Sequence, residues 1–489
     1  MARHSPLAAS VQPLHRRSAR VVVLGLGAVI ALLAATTGGG AAATAAGASP
    51  PILPVVNSIS PSTVSAGGGA NVTITGSGFG ATSEVFFGAN PSSSFSVVSS
   101  TFINATVPTN SGRVDVKVVT PTGSSPDTQK SQLTYVPTGQ RPITASGHDL
   151  EVGGVPTKFT GVNAYELATA WGTNAGCGGM ENSAQIAALF SSLAPGSVVR
   201  FWAFQGTTAT DISTDHIDWA PIDEVFHLAA TYHIYLIPAI TSQGGSCDGG
   251  HWQDPSWYAG GYKDVFNTPA NSNGTGHTPL SYWTYLQELV SRYKNSPALG
   301  MWEPIVEPEA SSCPAAYQPS NCSGHQTCPD ESVAAADLSS FFDVVGSEIH
   351  ALDPMHLVES GFLGGGECGL AAADYQEVGS SPGIDVLSVH DYYGSAPLGG
   401  GRLNGLAERF SEAEALDKPI ITGEAGILAG VQSGCVGLIR RKSEMTAKMK
   451  AQFAAGSSAF LVWDWVLDPL GSCSYNTGPA DPLMGLFAH

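Results

Sequence analysis

The sequence predicts an α/β protein, a (β/α)8 TIM barrel preceded by an immunoglobulin-like β-sandwich. Three observations predict it. The 489-residue chain is too long for one average domain. Its first third holds a Ser/Thr/Val/Gly-rich stretch without Cys, cut into short alternating runs by Gly, Pro and Ser. Beyond residue 142, apolar strand-like runs alternate with helix-like segments over roughly 350 residues, the size and rhythm of a barrel of parallel strands.

Composition narrows the function before any motif is read. Hydrophobic residues make up 43%, which excludes wholesale disorder, and the 58 Gly and 32 Pro show no three-residue period, which excludes collagen. The formal charge is −19, and the first 49 residues hold Arg3, Arg16, Arg17 and Arg20 without one acid. The remainder therefore sets 17 basic residues (21 less these four) against 40 acidic ones. Such a surface repels phosphate backbones and anionic membranes, so nucleic acid and membrane are excluded as partners and a neutral substrate is favoured. A monomer is expected.

Residues 1–48 read as a secretory signal peptide: a basic start, the uncharged run Val21 to Ala35, then small residues. Fifteen residues at 1.5 Å rise reach about 22 Å, short of the roughly 30 Å hydrocarbon core. Secretion to the cell exterior or surface follows. The eight cysteines, all beyond residue 170, then read as disulfides, with Cys313, Cys322 and Cys328 expected to staple one long loop.

Residues 53–137 carry the runs Asn71–Thr75, Ser83–Phe87 and Arg113–Val119, each alternating apolar with polar. Ile59-Ser60-Pro61, Gly67-Gly68-Gly69, Thr73-Ile74-Thr75-Gly76-Ser77-Gly78-Phe79-Gly80 and Val85-Phe86-Phe87-Gly88 together resemble an IPT/TIG domain. Residues 138–142 form a linker, and 143–489 the barrel.

Eight strand candidates follow in order: Lys158–Val162, Ser197–Phe204, His233–Ile240, Ala298–Trp302, His356–Gly361, Ile384–His390, Lys418–Gly423 and Ala459–Trp465. Ser281–Tyr293, Ser332–Leu352 and Arg441–Ala455 have the three-and-four spacing of helices between them. A barrel carries its chemistry at the carboxyl ends of its strands. Those ends hold Asn163 and Tyr165, Arg200 and Trp202, the segment up to Trp252, Glu307, Glu359, His390 and Tyr392, Glu424, and Trp463. One Glu after a strand is ordinarily a capping or solvated residue. Polar or aromatic groups at all eight ends are not.

Two carboxyl groups, one neutral and one ionised, are the minimum for hydrolysing a glycosidic bond. Arg200 suits the task of keeping one charged, Tyr392 that of hydrogen-bonding it, and His390 that of orienting a carboxylate. Trp faces stack on sugar rings. Neither cofactor nor metal is required. Motifs of zinc peptidases, P-loop nucleotide hydrolases and Gly-x-Ser-x-Gly esterases are missing from the sequence.

Phe159–Tyr165, Val199–Phe204, Trp302-Glu303-Pro304-Ile305-Val306-Glu307-Pro308, Ser388–Tyr392, Lys418–Gly426 and Phe460–Trp463 resemble, in this order, the strand ends of glycoside hydrolase family five, the cellulases and β-mannanases. The resemblance implies Glu307 as acid/base, Glu424 as nucleophile, and Asn163, Tyr165, Arg200, Trp202, Trp252, His390, Tyr392 and Trp463 at the substrate. It implies a secreted retaining enzyme on a neutral polysaccharide, most like an endo-β-1,4-mannanase. Alternatives are an endo-β-1,4-glucanase, an exo-acting β-glycosidase, or a non-catalytic carbohydrate-binding surface protein. One position departs: Val306 stands where the family carries an Asn that bonds the sugar 2-hydroxyl, and Asn163 is a candidate substitute. A shifted register would make Glu303 the acid; Pro308 and the placement of Trp302 favour Glu307.

Overall fold

The computed structural model describes residues 53–487, apart from 66–67, 111–112, 137–139, 169–181, 207–209, 212–215, 246, 249–250, 266–277, 315, 317–321, 323, 468 and 470. The expected signal peptide, residues 1–48, lies outside them, as do Cys177 and part of the expected linker.

The first module is two antiparallel-rich sheets face to face. One has the order Val55–Ser60, Asn71–Ser77, Phe102–Thr106, Ser94–Ser99; the other is built on Arg113–Thr120 between Gln132–Val136 and Glu84–Phe87. Alternation produces it directly. In Arg113–Thr120 every second residue is buried, and Val114, Val116 and Val118 meet Val72, Ile74 and Ile103 in one dry core.

A three-stranded antiparallel hairpin follows, Ile143–Ser146, Asp149–Val152 and Val155–Pro156. It is not among the strands expected from the sequence. Its Ile143 and Leu150 pack with Phe159, Val198, Tyr235, Ile237, Met301, Ile421 and Leu461, the inward residues at the starts of the barrel strands. The hairpin thus plugs the amino-terminal mouth.

Eight parallel strands close the ring: β1 Phe159–Asn163, β2 Val198–Trp202, β3 Tyr235–Ala239, β4 Met301–Trp302, β5 Leu357–Val358, β6 Leu387–Asp391, β7 Ile420–Ala425 and β8 Ala459–Val462. Ladders join β3–β2–β1–β8–β7–β6 and β4–β5. Single parallel bridges complete the circle, Leu236 to Leu299 and Ala239 to Glu303 on one side and Glu359 to Val386 on the other. All eight expected strands are present, with β4 and β5 shorter than their apolar runs. Among the described residues the α-helices longer than one turn are α1 Ser183–Ser192, α2 Ala220–Tyr232, α3 Tyr282–Tyr293, α4 Glu331–Leu352, α5 Asp374–Gly379, α6 Leu406–Ala415 and α7 Leu438–Ala454. Side-chain caps start three of them, Asn182 on Gln185, Ser281 on Thr284, and Asp330 on Ser332 and Val333. Their apolar stripes, such as Leu338, Phe341, Phe342 and Val345 of α4, pack against the outward strand residues. Among the described residues no helix is long and apolar enough to cross a membrane.

Candidate active site

Strand alternation aims the functional side chains. In β2, Val198 packs inward and Val199 outward, so Arg200 turns in, Phe201 out and Trp202 in. The same parity points Asn163, His390 and Tyr392 inward. β7 breaks it. With Ile421 inward, strict alternation would send Glu424 outward. The pairing shifts by one residue around Gly423 against both β6 and β8, and this bulge turns Glu424 into the barrel mouth. A side chain at Gly423 would meet Ser388 Oγ at 2.5 Å.

Arg200, fully buried, organises the floor. Its Nε and Nη2 donate to Glu303 at 2.5 and 2.6 Å, and its Nη1 to Glu424 Oε1 at 2.6 Å and Asn163 Oδ1 at 2.8 Å. Glu303, also fully buried, is therefore held by a two-pronged ion pair below the cleft. Asn163 is 1% exposed; its amide donates to the Gly423 carbonyl at 2.8 Å. With both ends of its side chain engaged, it supports Arg200 and Gly423 and is not free to replace the missing Asn at 306. Val306 itself packs with Phe204, Ala239 and Trp202.

Glu307 stands at the cleft wall with its side chain 36% exposed. Its backbone has φ +51°, and its amide donates to the Gly361 carbonyl at 2.8 Å. His390 Nδ1 lies 2.7 Å from Glu307 Oε1 and 3.6 Å from Glu424 Oε2. Tyr392 donates its hydroxyl to Glu424 Oε2 at 2.5 Å. One donor atom from each of Glu307, His390 and Glu424 falls within 4.8 Å of the others. A cation could be ligated there, yet the Arg200 charge already occupies one side of Glu424.

Electrostatics separate the two carboxyls. Desolvation pushes Glu307 up to about 7, with Arg200 opposing and Glu303 adding to the rise. Burial also raises Glu424 above its ordinary value, and Arg200 and the Tyr392 hydroxyl hold that rise back. Burial drives His390 down to about 4 despite Glu424, so the imidazole is neutral near pH 7. Burial and Glu424 raise Tyr392 well above its ordinary value, which keeps it an O–H donor.

Tyr165, Trp202 and Trp463, each partly exposed, form one aromatic wall. Tyr165 lies 4.5 Å from Trp202 and 5.5 Å from Trp463, stacked on the latter. Trp252 is 6% exposed, and its indole donates to the Ser311 carbonyl at 2.9 Å, tying the loop after β3 to that after β4. The structure therefore gathers Glu307, Glu424, Arg200, His390, Tyr392, Tyr165, Trp202 and Trp463 at the mouth, with Asn163 beneath them and Trp252 inside the wall. Glu309 and Glu367 are not among the site residues expected from the sequence; both are raised to about 7 by burial and by charge from neighbouring carboxyls. Acids just past strand ends were the available signal.

Disulfides brace this face. Cys313 pairs with Cys322, Cys328 with Cys368, and Cys435 with Cys473; Cys247 is disulfide-bonded too. The expectation of one stapled loop needs correction. Cys328 reaches across to the loop after β5, because the two loops lie side by side in the ring.

Residues 54–136 match the family model of the IPT/TIG domain. The chain is 26% identical over 298 residues to the probable mannan endo-1,4-β-mannosidase C of Aspergillus terreus, covering 53% of this chain and 65% of that protein. It is 25% identical over 321 residues to the probable mannan endo-1,4-β-mannosidase A-2 of the same organism, covering 58% and 70%. Among solved structures, the endo-1,4-β-mannanase of Rhizomucor miehei is similar at 18% identity and a TM-score of 0.49, over 71% of this chain and 97% of that one.

Proposed function

We propose that this chain is a retaining β-glycoside hydrolase of the family-five kind, an endo-β-1,4-mannanase. One observation carries the reading: carboxyl groups from the ends of β4 and β7 converge on His390, with oxygens within 4.8 Å of each other. So close an approach of the nearest oxygens suits the roughly 5–5.5 Å carboxyl separation of retaining enzymes better than the roughly 6.5–9.5 Å of inverting ones. The names of the curated relatives supply the sugar.

In the mechanism, Glu424 attacks the anomeric carbon, and Arg200 and Tyr392 hold it ionised and aimed. Glu307, protonated below about 7, gives its proton to the departing oxygen and then takes one from water. Neutral His390 passes no charge; it orients Glu307 through Nδ1. Tyr165, Trp202 and Trp463 offer ring faces to the sugar. The reading needs a neutral carbohydrate as its partner and a monomeric chain outside the cell; the disulfides support an oxidising compartment. It keeps the division into a leader (1–48), the IPT/TIG module (53–137), a linker (138–142) and a catalytic barrel (143–489).

The test is a panel of mannan, glucomannan, cellulose, β-glucan and aryl glycosides, with products identified and the first-formed anomer read by NMR. Mannan cut to oligosaccharides with retention is expected, and Glu424→Ala should abolish it in a folded protein. Inversion, full activity of that variant, or untouched mannan would sink the proposal. The Cys-rich insertion between Pro308 and Ser332, tied by Cys313–Cys322 and Cys328–Cys368, favours a second reading, exo action at a cleft closed at one end. Mono- or disaccharide products would identify it.

A further inference from the structure

Three carboxyls and one guanidinium share the space below the cleft. Glu303, Glu359 and Arg200 are each 0% exposed, and Glu424 is 3% exposed. The Arg200 donors are divided between Glu303, Glu424 and Asn163, and Glu359 receives none of them. Its Oε2 accepts from the Gly361 amide at 2.7 Å. Its Oε1 has no donor among the described residues, and the side chain lies against that of Glu303. Two carboxyls in contact and out of water are not both ionised; one carries the proton that joins them. Glu303 takes both prongs of the guanidinium fork, so it is the anion. The proton then sits on Glu359, where a neutral acid is far cheaper to bury than a charge.

Gly361 carries this group to the other side of the cleft. Its amide binds Glu359, while its carbonyl accepts from the Glu307 amide at 2.8 Å. It sits at φ +66°, and a Cβ there would lie 2.0 Å from the Ile305 carbonyl oxygen and 3.0 Å from Glu303 Oε1. Only glycine permits so close an approach of the loops after β4 and β5.

We propose that Glu359 is a neutral carboxylic acid that positions both reacting carboxyls, Glu424 through Glu303 and Arg200, and Glu307 through the Gly361 peptide. Burial and the Glu303 charge raise it well above the ordinary carboxylate range, against the pull of Arg200. Among the described residues Tyr375 of α5 also interacts with it, and its hydroxyl donates to the Ser388 carbonyl. The kinetic consequence rests on the mannanase reading above; the protonation state does not.

Two substitutions and one spectrum test the proposal. Glu359→Gln offers a carbonyl to Gly361 and an N–H to Glu303, as the protonated acid does, and should keep kcat/KM and its pH profile close to the parent's. Glu359→Leu removes both contacts. Glu303 then draws Arg200 from Glu424, so kcat should fall about 10²-fold with KM little changed, and the acidic limb should move up. Glu359→Gln as impaired as Glu359→Leu, or Glu359→Leu as active as the parent, overturns the proposal. Infrared difference spectra of the whole protein should contain a protonated-carboxyl band that persists through neutral pH and vanishes in Glu359→Gln. Its absence overturns the proposal whether or not mannan is cleaved, and the spectrum still decides if the Leu variant fails to fold.

Discussion

Replacing Arg200 by Met deletes the charge under the cleft while keeping much of the side chain's bulk. Removing one partner of a buried ion pair costs about 3–5 kcal/mol, mostly from the charge left behind. Here two carboxylates are left, Glu303 at 0% exposure and Glu424 at 3%, so the upper end of that range is expected. The pH dependence identifies the cause. Without Arg200 the pKa of Glu424, already raised by burial, rises further above that of the unfolded chain, so the folded variant holds a proton that the unfolded chain has released. Its stability is retained below the ordinary carboxylate pKa and lost as pH rises through the raised value. The deficit against the parent should therefore be larger at about pH 8 than at about pH 5. Guanidinium unfolding of the barrel, followed by Trp fluorescence at both pH values, measures it. A deficit under about 1 kcal/mol, the range of an exposed pair, or one equal at both pH values, would refute the account of Arg200 as the charge that makes these carboxylates tolerable.

Because Glu307 must be protonated to act as the acid and titrates at about 7, kcat/KM should fall as pH rises past that value. Glu307→Gln should remove this limb when an activated aryl glycoside is used, and an unchanged limb would free Glu307 of the role. Gly423→Ala brings a methyl to 2.5 Å from Ser388 Oγ and 3.3 Å from His390 Nε2. It should cost about 1–3 kcal/mol and depress kcat by displacing Glu424, while an unchanged Tm and kcat would reject the bulge. Replacing Cys328 and Cys368 by Ser opens a closure of 40 residues and should cost about 2–4 kcal/mol. Calorimetry with and without reductant checks this, and the pH profile should not move.

The barrel was legible because its strands are short apolar runs whose order and spacing survive in one dimension. Val198 to Trp202 reads as a strand on its own, and its parity alone aims Arg200 inward. Reading strand ends in order gathered Glu307, His390, Tyr392 and the aromatic wall for the same reason. Trp252 and Asn163 also fall at strand ends, yet Trp252 bonds Ser311 and Asn163 holds Arg200. What a side chain bonds is not written in its own segment.

The sequence by itself determined the two-part architecture, the succession of eight strands and which residue types arrive at one rim, since each follows from local alternation and chain order. Only the tertiary structure decided the inward turn of Glu424, the plug of Ile143 and Leu150 and the partner of Cys328. Each of those depends on groups brought together from distant parts of the chain. Arg200 meets Glu424 across 224 residues, and no local pattern encodes a contact that only ring closure creates.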